Sequence, residues 1–161
     1  MPKRHLRIEI KHQRLICFDA ENELATYPVS TGRRGTGEQL DSGCTPRGKH
    51  RIRLKIGGGC PRDSVFVARR ATGEIFSDAL AEKEPDRDWI LSRILWLTGI
   101  EPGVNRGGQV DTLKRYVYIH GTPEEHLIGQ PVSHGCIRMR NRDLIKLFDW
   151  TDNGMLVEIV E

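Results

Sequence analysis

No stretch of this chain is apolar for long. Met1-Pro2-Lys3-Arg4-His5 carries the charge of a signal-peptide n-region, but the segment Leu6 to Phe18 that follows is broken by Arg7, Glu9, Lys11, His12, Gln13 and Arg14. An apolar h-region needs roughly 7–15 apolar residues and a membrane-spanning helix about 20. Neither a leader nor a membrane segment is expected. The expected location is the cytoplasm, or the periplasm if the chain is a trimmed piece. One-sided charge is also missing: 25 Lys and Arg against 22 Asp and Glu leave +3, too balanced to imply a nucleic-acid partner. A local basic groove for a small acidic substrate stays compatible with that balance. The four cysteines, Cys17, Cys44, Cys60 and Cys136, include no C-x-x-C pair, which argues against a zinc ribbon or a thioredoxin motif. Without an export signal they read as free thiols. Cys17, inside Leu15-Ile16-Cys17-Phe18, reads as a small core hydrophobe. There are no repeats, no low-complexity tract and no linker.

What remains is one domain over residues 1–161, long enough to bury a sizeable core. With 17 Gly and 8 Pro the chain is rich in turns, so the expected fold is mainly β, a sandwich or mixed sheets with two short helices. Leu6, Ile8 and Ile10 alternate with polar residues, and Leu15 to Phe18 follows a polar turn; together they predict a hairpin. Further strands are expected at 25–30, at 52–56 up to Gly57-Gly58-Gly59, at 65–68, at 116–119 and at 155–160. Residues 33–48 and 101–108 read as loops. Over 86–98 the period changes: Ile90, Ile94 and Leu97 fall at i, i+4 and i+7, which predicts a helix capped by Asp86 or Asp88. A second helix is expected near 142–151, capped by Asn141, with Leu144, Leu147, Phe148 and Thr151 buried.

The chemistry concentrates in Tyr118-Ile119-His120-Gly121-Thr122 and Ser133-His134-Gly135-Cys136-Ile137-Arg138-Met139. His120 ends a strand, where a side chain can enter a cleft. Cys136 follows a glycine that permits close backbone approach to a substrate. A thiolate is the reactive form of cysteine, and an imidazole or a helix N-terminus lowers its pKa. The N–H groups of Gly135 and Cys136 are candidates for an oxyanion hole. Arg138 has the chemistry to hold a carboxylate. Two plainer readings stand beside this one. Cys136 and His120 can each be core residues, and His120, His126 and His134 with Cys136 can bind zinc, although their spacing matches no common zinc pattern.

The composite of His-Gly-Thr, a loop from Gly121 to Val132, and Ser-His-Gly-Cys-Ile-Arg-Met resembles the signature of the YkuD-type L,D-transpeptidase family. Tyr27-Pro28-Val29-Ser30-Thr31-Gly32, Thr45-Pro46-Arg47-Gly48 and the N-terminal hairpin resemble its earlier blocks, so the likeness covers nearly the whole chain. The resemblance implies Cys136 as nucleophile and His120 as general base, oriented by the Gly121 carbonyl. It implies that His134 shapes the site and supports the thiolate, with oxyanion donors at Gly135 and Cys136. Arg138, Ser133, Tyr118, Asn105 and Arg106 are the residues expected at the substrate. Part of 69–115 is expected to border the cleft as a lid.

By the same resemblance the substrate is a murein tetrapeptide stem or muropeptide, cut between the L-centre of a diaminopimelate-like third residue and the terminal D-Ala. Water as acceptor gives an L,D-carboxypeptidase, the reaction expected for a cytoplasmic enzyme. An amine acceptor gives a 3–3 cross-link, and a D-amino acid gives exchange. No metal or cofactor is implied, and carbapenem-type lactams are expected inhibitors. A murein-peptide binding module without activity is the alternative from another class.

Overall fold

The computed structural model describes residues 3–161; Met1 and Pro2, the start of the would-be n-region, lie outside the described residues. The strands are β1 (Arg4–Glu9), β2 (Arg14–Asp19), β3 (Asn22–Pro28), β4 (Gly48–Ile56), β5 (Ser64–Val67), β6 (Arg70–Ile75), β7 (Ile90–Gly99), β8 (Tyr118–Gly121), β9 (Ile137–Met139) and β10 (Leu156–Val160). They form one mixed sheet in the order β3-β2-β1-β10-β4-β7-β5-β6, with β8 branching from β7 and β9 pairing β8. The helices are α1 (Asp78–Lys83) and α2 (Asn141–Trp150). No helix among the described residues is long and apolar enough to cross a membrane.

The fold class matches the sequence reading, and so does the N-terminal hairpin, whose β1 and β2 pair antiparallel. Alternation places Leu6 and Ile8 of β1 in the core, where Leu15, Ile52, Leu97, Val157 and Ile159 meet them. One face of α2 carries Leu144, Leu147 and Phe148 into the same core, beside Ile119 of β8 and Ile137 and Met139 of β9. The two strands that hold the chemistry are thus clamped by the largest apolar cluster of the molecule.

The helix expected over 86–98 does not form. Residues 90–99 are strand β7, and the short helix lies earlier, at 78–83. The reason is burial on both faces. β7 lies between β4 on one side and β5 and β8 on the other, and 91–95 are all buried. A strand covered on both sides needs no polar alternation, so its apolar run imitates a helical stripe. A register shift between Leu91 and Ile94, with Ser92 at φ +73°, adds to the irregular pattern. Asp86 and Asp88 cap nothing there. Asn141 is the first residue of α2 and not its cap; Arg140 holds the cap position without a side-chain bond. Glu125 supplies the anion instead, accepting from the Asn141 backbone N–H at 2.7 Å.

Candidate active site

β8 and β9 run parallel, with Ile119 opposite Ile137 and His120 opposite Arg138. A parallel pair needs a crossover of about a dozen residues. Residues 122–136 are that crossover, and they include the loop between the two motif halves. Because side chains alternate along a strand, Tyr118 and His120 share one face. The same register carries Cys136, one residue before β9, up to Tyr118, whose backbone N–H donates to the Cys136 Sγ at 3.3 Å. The thiol in turn donates to the Tyr116 carbonyl at 3.4 Å.

The loop bearing Cys136 is held from three sides. Ser133 Oγ donates to the Cys136 carbonyl at 2.5 Å and accepts from the Gly135 N–H at 3.1 Å. Thr45 Oγ1 donates to the Gly135 carbonyl at 2.9 Å and accepts from the Gly32 N–H at 2.8 Å. Ser30 and Arg138 exchange both backbone hydrogen bonds, and Ser133 N–H donates to the Thr31 carbonyl. The blocks around residues 27–32 and 45–48 thus serve as the walls of the Cys136 loop. Gly135 lies at φ +117°, and a Cβ there would stand 2.9 Å from the Cys44 carbonyl oxygen, so only glycine fits.

His120 is 1% exposed, and its Nδ1 lies 2.7 Å from the Gly121 carbonyl oxygen. A carbonyl only accepts, so Nδ1 carries the proton and Nε2 is the free base. Burial pushes the His120 pKa below its ordinary 6.5, against the opposing pull of Asp88 and the Gly121 hydrogen bond. Burial likewise pushes the Cys136 thiol up to about 11, with the Tyr118 N–H, Arg138 and Arg115 working the other way. The resting pair is therefore thiol and neutral imidazole. No helix end supports a thiolate here, because β9 separates Cys136 from α2. No hydrogen bond joins Sγ to the imidazole, which leaves room for the pair to tighten around a substrate.

Cys136, Tyr118 and His134 line one cavity of about 310 Å³, together with Arg69, Asp88, Ile90, Arg115 and Tyr116. Residues of the 69–115 stretch do border the cleft. The other expected substrate residues stand elsewhere. Ser133 is buried within the loop, its hydroxyl engaged by the Cys136 carbonyl and the Gly135 N–H. Arg138 is 6% exposed and donates to Asp88 Oδ1 at 2.9 Å, with Glu124 at 3.7 Å. Asn105 is fully buried; its amide donates to the Arg47 and Lys49 carbonyls and accepts from the Glu101 N–H, so it braces β4 and does not face the cleft. Arg106 does not line the cavity either. The Gly135 N–H, one of the two expected oxyanion donors, is engaged by Ser133 Oγ, whereas the Cys136 N–H makes no hydrogen bond among the described residues. His134 turns its Nδ1 to Asp88 Oδ2 at 3.1 Å. Among the described residues no three His, Cys, Asp or Glu side chains converge as a metal-binding group.

Asp88 is the residue sequence reasoning missed. Burial opposes its charge, yet His120, the His134 hydrogen bond and Arg138 together hold its carboxyl below the ordinary range. It anchors His134 at the end of the crossover and Arg138 of β9. No spacing rule links position 88 to 134 and 138; only the β7–β8–β9 pairing brings them together.

A family model described as the L,D-transpeptidase catalytic domain, YkuD, matches residues 3–159. A Bacillus licheniformis protein bearing the name L,D-transpeptidase YkuD is 48% identical over 46 residues, which are 29% of this chain and 28% of that protein. Among solved structures, an L,D-transpeptidase from Mycobacterium smegmatis superposes with a TM-score of 0.63 at 18% identity, covering 99% of this chain and 59% of that one. The L,D-transpeptidase LdtMt1 in complex with imipenem superposes at 0.57 with 17% identity, covering 98% and 59%. The chain thus spans under two thirds of these relatives' length, and the structural likeness speaks for the fold. With the family model matching almost end to end on a chain that carries His120 on β8 and Cys136 just before its partner strand β9, the protein belongs to the YkuD family of L,D-transpeptidase catalytic domains.

Proposed function

We propose that this domain cleaves peptidoglycan tetrapeptide stems through a thioester on Cys136. The observation that carries the reading is the paired setting of thiol and base. His120, fixed as its Nδ1–H tautomer, stands on β8, and Cys136, in the cavity wall, immediately precedes the parallel partner strand β9. In the first step Nε2 of His120 takes the thiol proton while Sγ attacks the carbonyl of the diaminopimelate-like L-centre. The Cys136 N–H faces the charge that develops on the carbonyl oxygen. The C–N bond to D-Ala breaks, the imidazolium returns its proton to the departing amine, and a thioester remains. A binding module would have no use for a neutral base beside a thiol.

In the second step the acceptor gives its proton to His120, attacks the thioester and releases Sγ, which is reprotonated. Water is the acceptor in this proposal, making the domain an L,D-carboxypeptidase that trims soluble muropeptides in the cytoplasm. The half-buried thiol lies in a cavity open to solvent, which gives water a path to the thioester. An amine acceptor is the second reading. A neighbouring cavity of about 400 Å³ favours it, since it shares Arg115, Tyr116 and His134 with the first and offers a place for another stem. Carbapenem-type lactams, imipenem among them, are expected to acylate the same sulfur.

The test is mass spectrometry of products from a disaccharide tetrapeptide. Tripeptide alone supports hydrolysis, and a 3–3 dimer supports cross-linking. Unchanged tetrapeptide after prolonged incubation contradicts the substrate assignment. Cell fractionation tests the location.

A further inference from the structure

The β5–β6 hairpin turns in two residues, since Val67 pairs with Arg70. Its loop residues, Ala68 at φ +48° and Arg69 at φ +64°, are both left-handed without being glycine. Two-residue hairpin turns of this hand favour Asn-Gly or Gly-Gly, because a side chain pays a steric penalty there. Strain of this kind points to a reason for the side chain. The turn puts the Arg69 guanidinium 4.6 Å from the Tyr116 ring centroid and 5.1 Å from that of Trp96. Its Nη1 donates to the Tyr118 hydroxyl at 3.1 Å.

These are the residues that hold the nucleophile. The Tyr116 carbonyl accepts from the Cys136 thiol, and the Tyr118 N–H donates to it. Arg69 therefore stands one residue away from Sγ by two routes, and it lines the same cavity. It is also an unneutralised cation. Arg138 has Asp88 and Glu124, and Arg115 is engaged by the Gly37 and Cys44 carbonyls. Among the described residues no carboxylate lies within ion-pair distance of Arg69; its single polar partner is the phenol of Tyr118. Aromatic faces and one hydrogen bond fix the guanidinium in place and leave its remaining donors without a partner.

We propose that Arg69 forms a carboxylate-binding subsite of the Cys136 cleft. The ligand is a free carboxylate of the peptide bound there. For its identity this rests on the stem-peptide reading above, which offers two sources: the terminal D-Ala and the second centre of the diamino acid.

Two measurements test it. The first needs no peptide. Iodoacetate and iodoacetamide alkylate the same thiol and differ by one negative charge. Arg69→Gln is expected to lower the iodoacetate-to-iodoacetamide rate ratio at Cys136 by about tenfold at low salt; the ratio cancels any change in the reactivity of the thiol itself. Arg69→Gly, which the left-handed turn accepts without steric cost, should give the same loss in a folded protein, and Arg69→Lys should retain part of the preference. An equal ratio in wild type and both neutral variants overturns the proposal. The second compares stem peptides amidated at one carboxylate or the other. Amidating the one that Arg69 holds should cut wild-type kcat/KM by about tenfold, through KM, and barely affect Arg69→Gln. If neither amide distinguishes wild type from Arg69→Gln, no stem carboxylate is held there and the proposal falls. If wild type turns over no stem peptide while the alkylation ratio behaves as expected, the substrate assignment fails and the anion subsite stands.

Discussion

With the Cys136 thiol pushed up to about 11 and the His120 imidazole pushed below 6.5, the two do not form a resting ion pair. In the proposed mechanism the proton moves during attack, so the competent form has His120 neutral. As pH falls through the depressed pKa of His120, the base is protonated and activity is lost; above it, activity is level. The acid limb of the kcat/KM profile is therefore expected to have its midpoint below 6.5. A midpoint above neutrality would contradict the neutral pair. Asp88 supplies a second check. Its charge raises the His120 pKa, so Asp88→Asn should move the acid limb to still lower pH. The same change leaves buried Arg138 with only Glu124, and a loss of about 1–3 kcal/mol in unfolding free energy is expected. A purely structural Asp88 would lower stability without moving the pH profile.

At the scale of elements, the site depends on how closely β7, β8 and α2 approach. A Cβ on Gly121 would lie 2.1 Å from Asn141 Oδ1 and 2.6 Å from the Leu91 carbonyl oxygen. Gly121→Ala must push α2 or β7 away and displace the carbonyl that orients His120. A loss of about 1–3 kcal/mol, the range for overpacking, is expected in denaturant unfolding. Turnover should fall well beyond what reduced folding explains. The local half of this arrangement was legible in the sequence. The alternation of β1, the Gly-Gly-Gly stop after β4 and the apolar face of α2 are local patterns, and the two halves of the motif lie 15 residues apart. What was not legible is what the sheet brings together. β7 imitates a helix because both its faces are buried, and Asp88 and Arg69 reach the cleft only through strand pairings. Asn105 was misplaced for the converse reason: a polar residue in a Gly-rich loop looks exposed, yet here its amide ties three backbone groups.

For the molecule as a whole, acid stability is set in part by a histidine far from the chemistry. His50 of β4 is fully buried; its Nδ1 donates to the Gly48 carbonyl and its Nε2 accepts from the Thr112 hydroxyl, both at 3.0 Å. Burial lowers its pKa from 6.5 to about 4. Between those values the unfolded chain binds a proton that the fold refuses. Stability is thus full above pH 6.5 and falls as pH drops toward 4, by about 3 kcal/mol from this ring. Urea unfolding across that range should show the slope, and His50→Gln should flatten it.

The central claim is that Cys136 carries the acyl group. The most direct measurement is the intact mass of the protein after acid quenching during turnover of a disaccharide tetrapeptide. The expected result is a shifted species equal to protein plus substrate minus D-Ala, mapped to the peptide containing Cys136 and missing from Cys136→Ala, which also releases no D-Ala. Undiminished D-Ala release by Cys136→Ala would contradict the account.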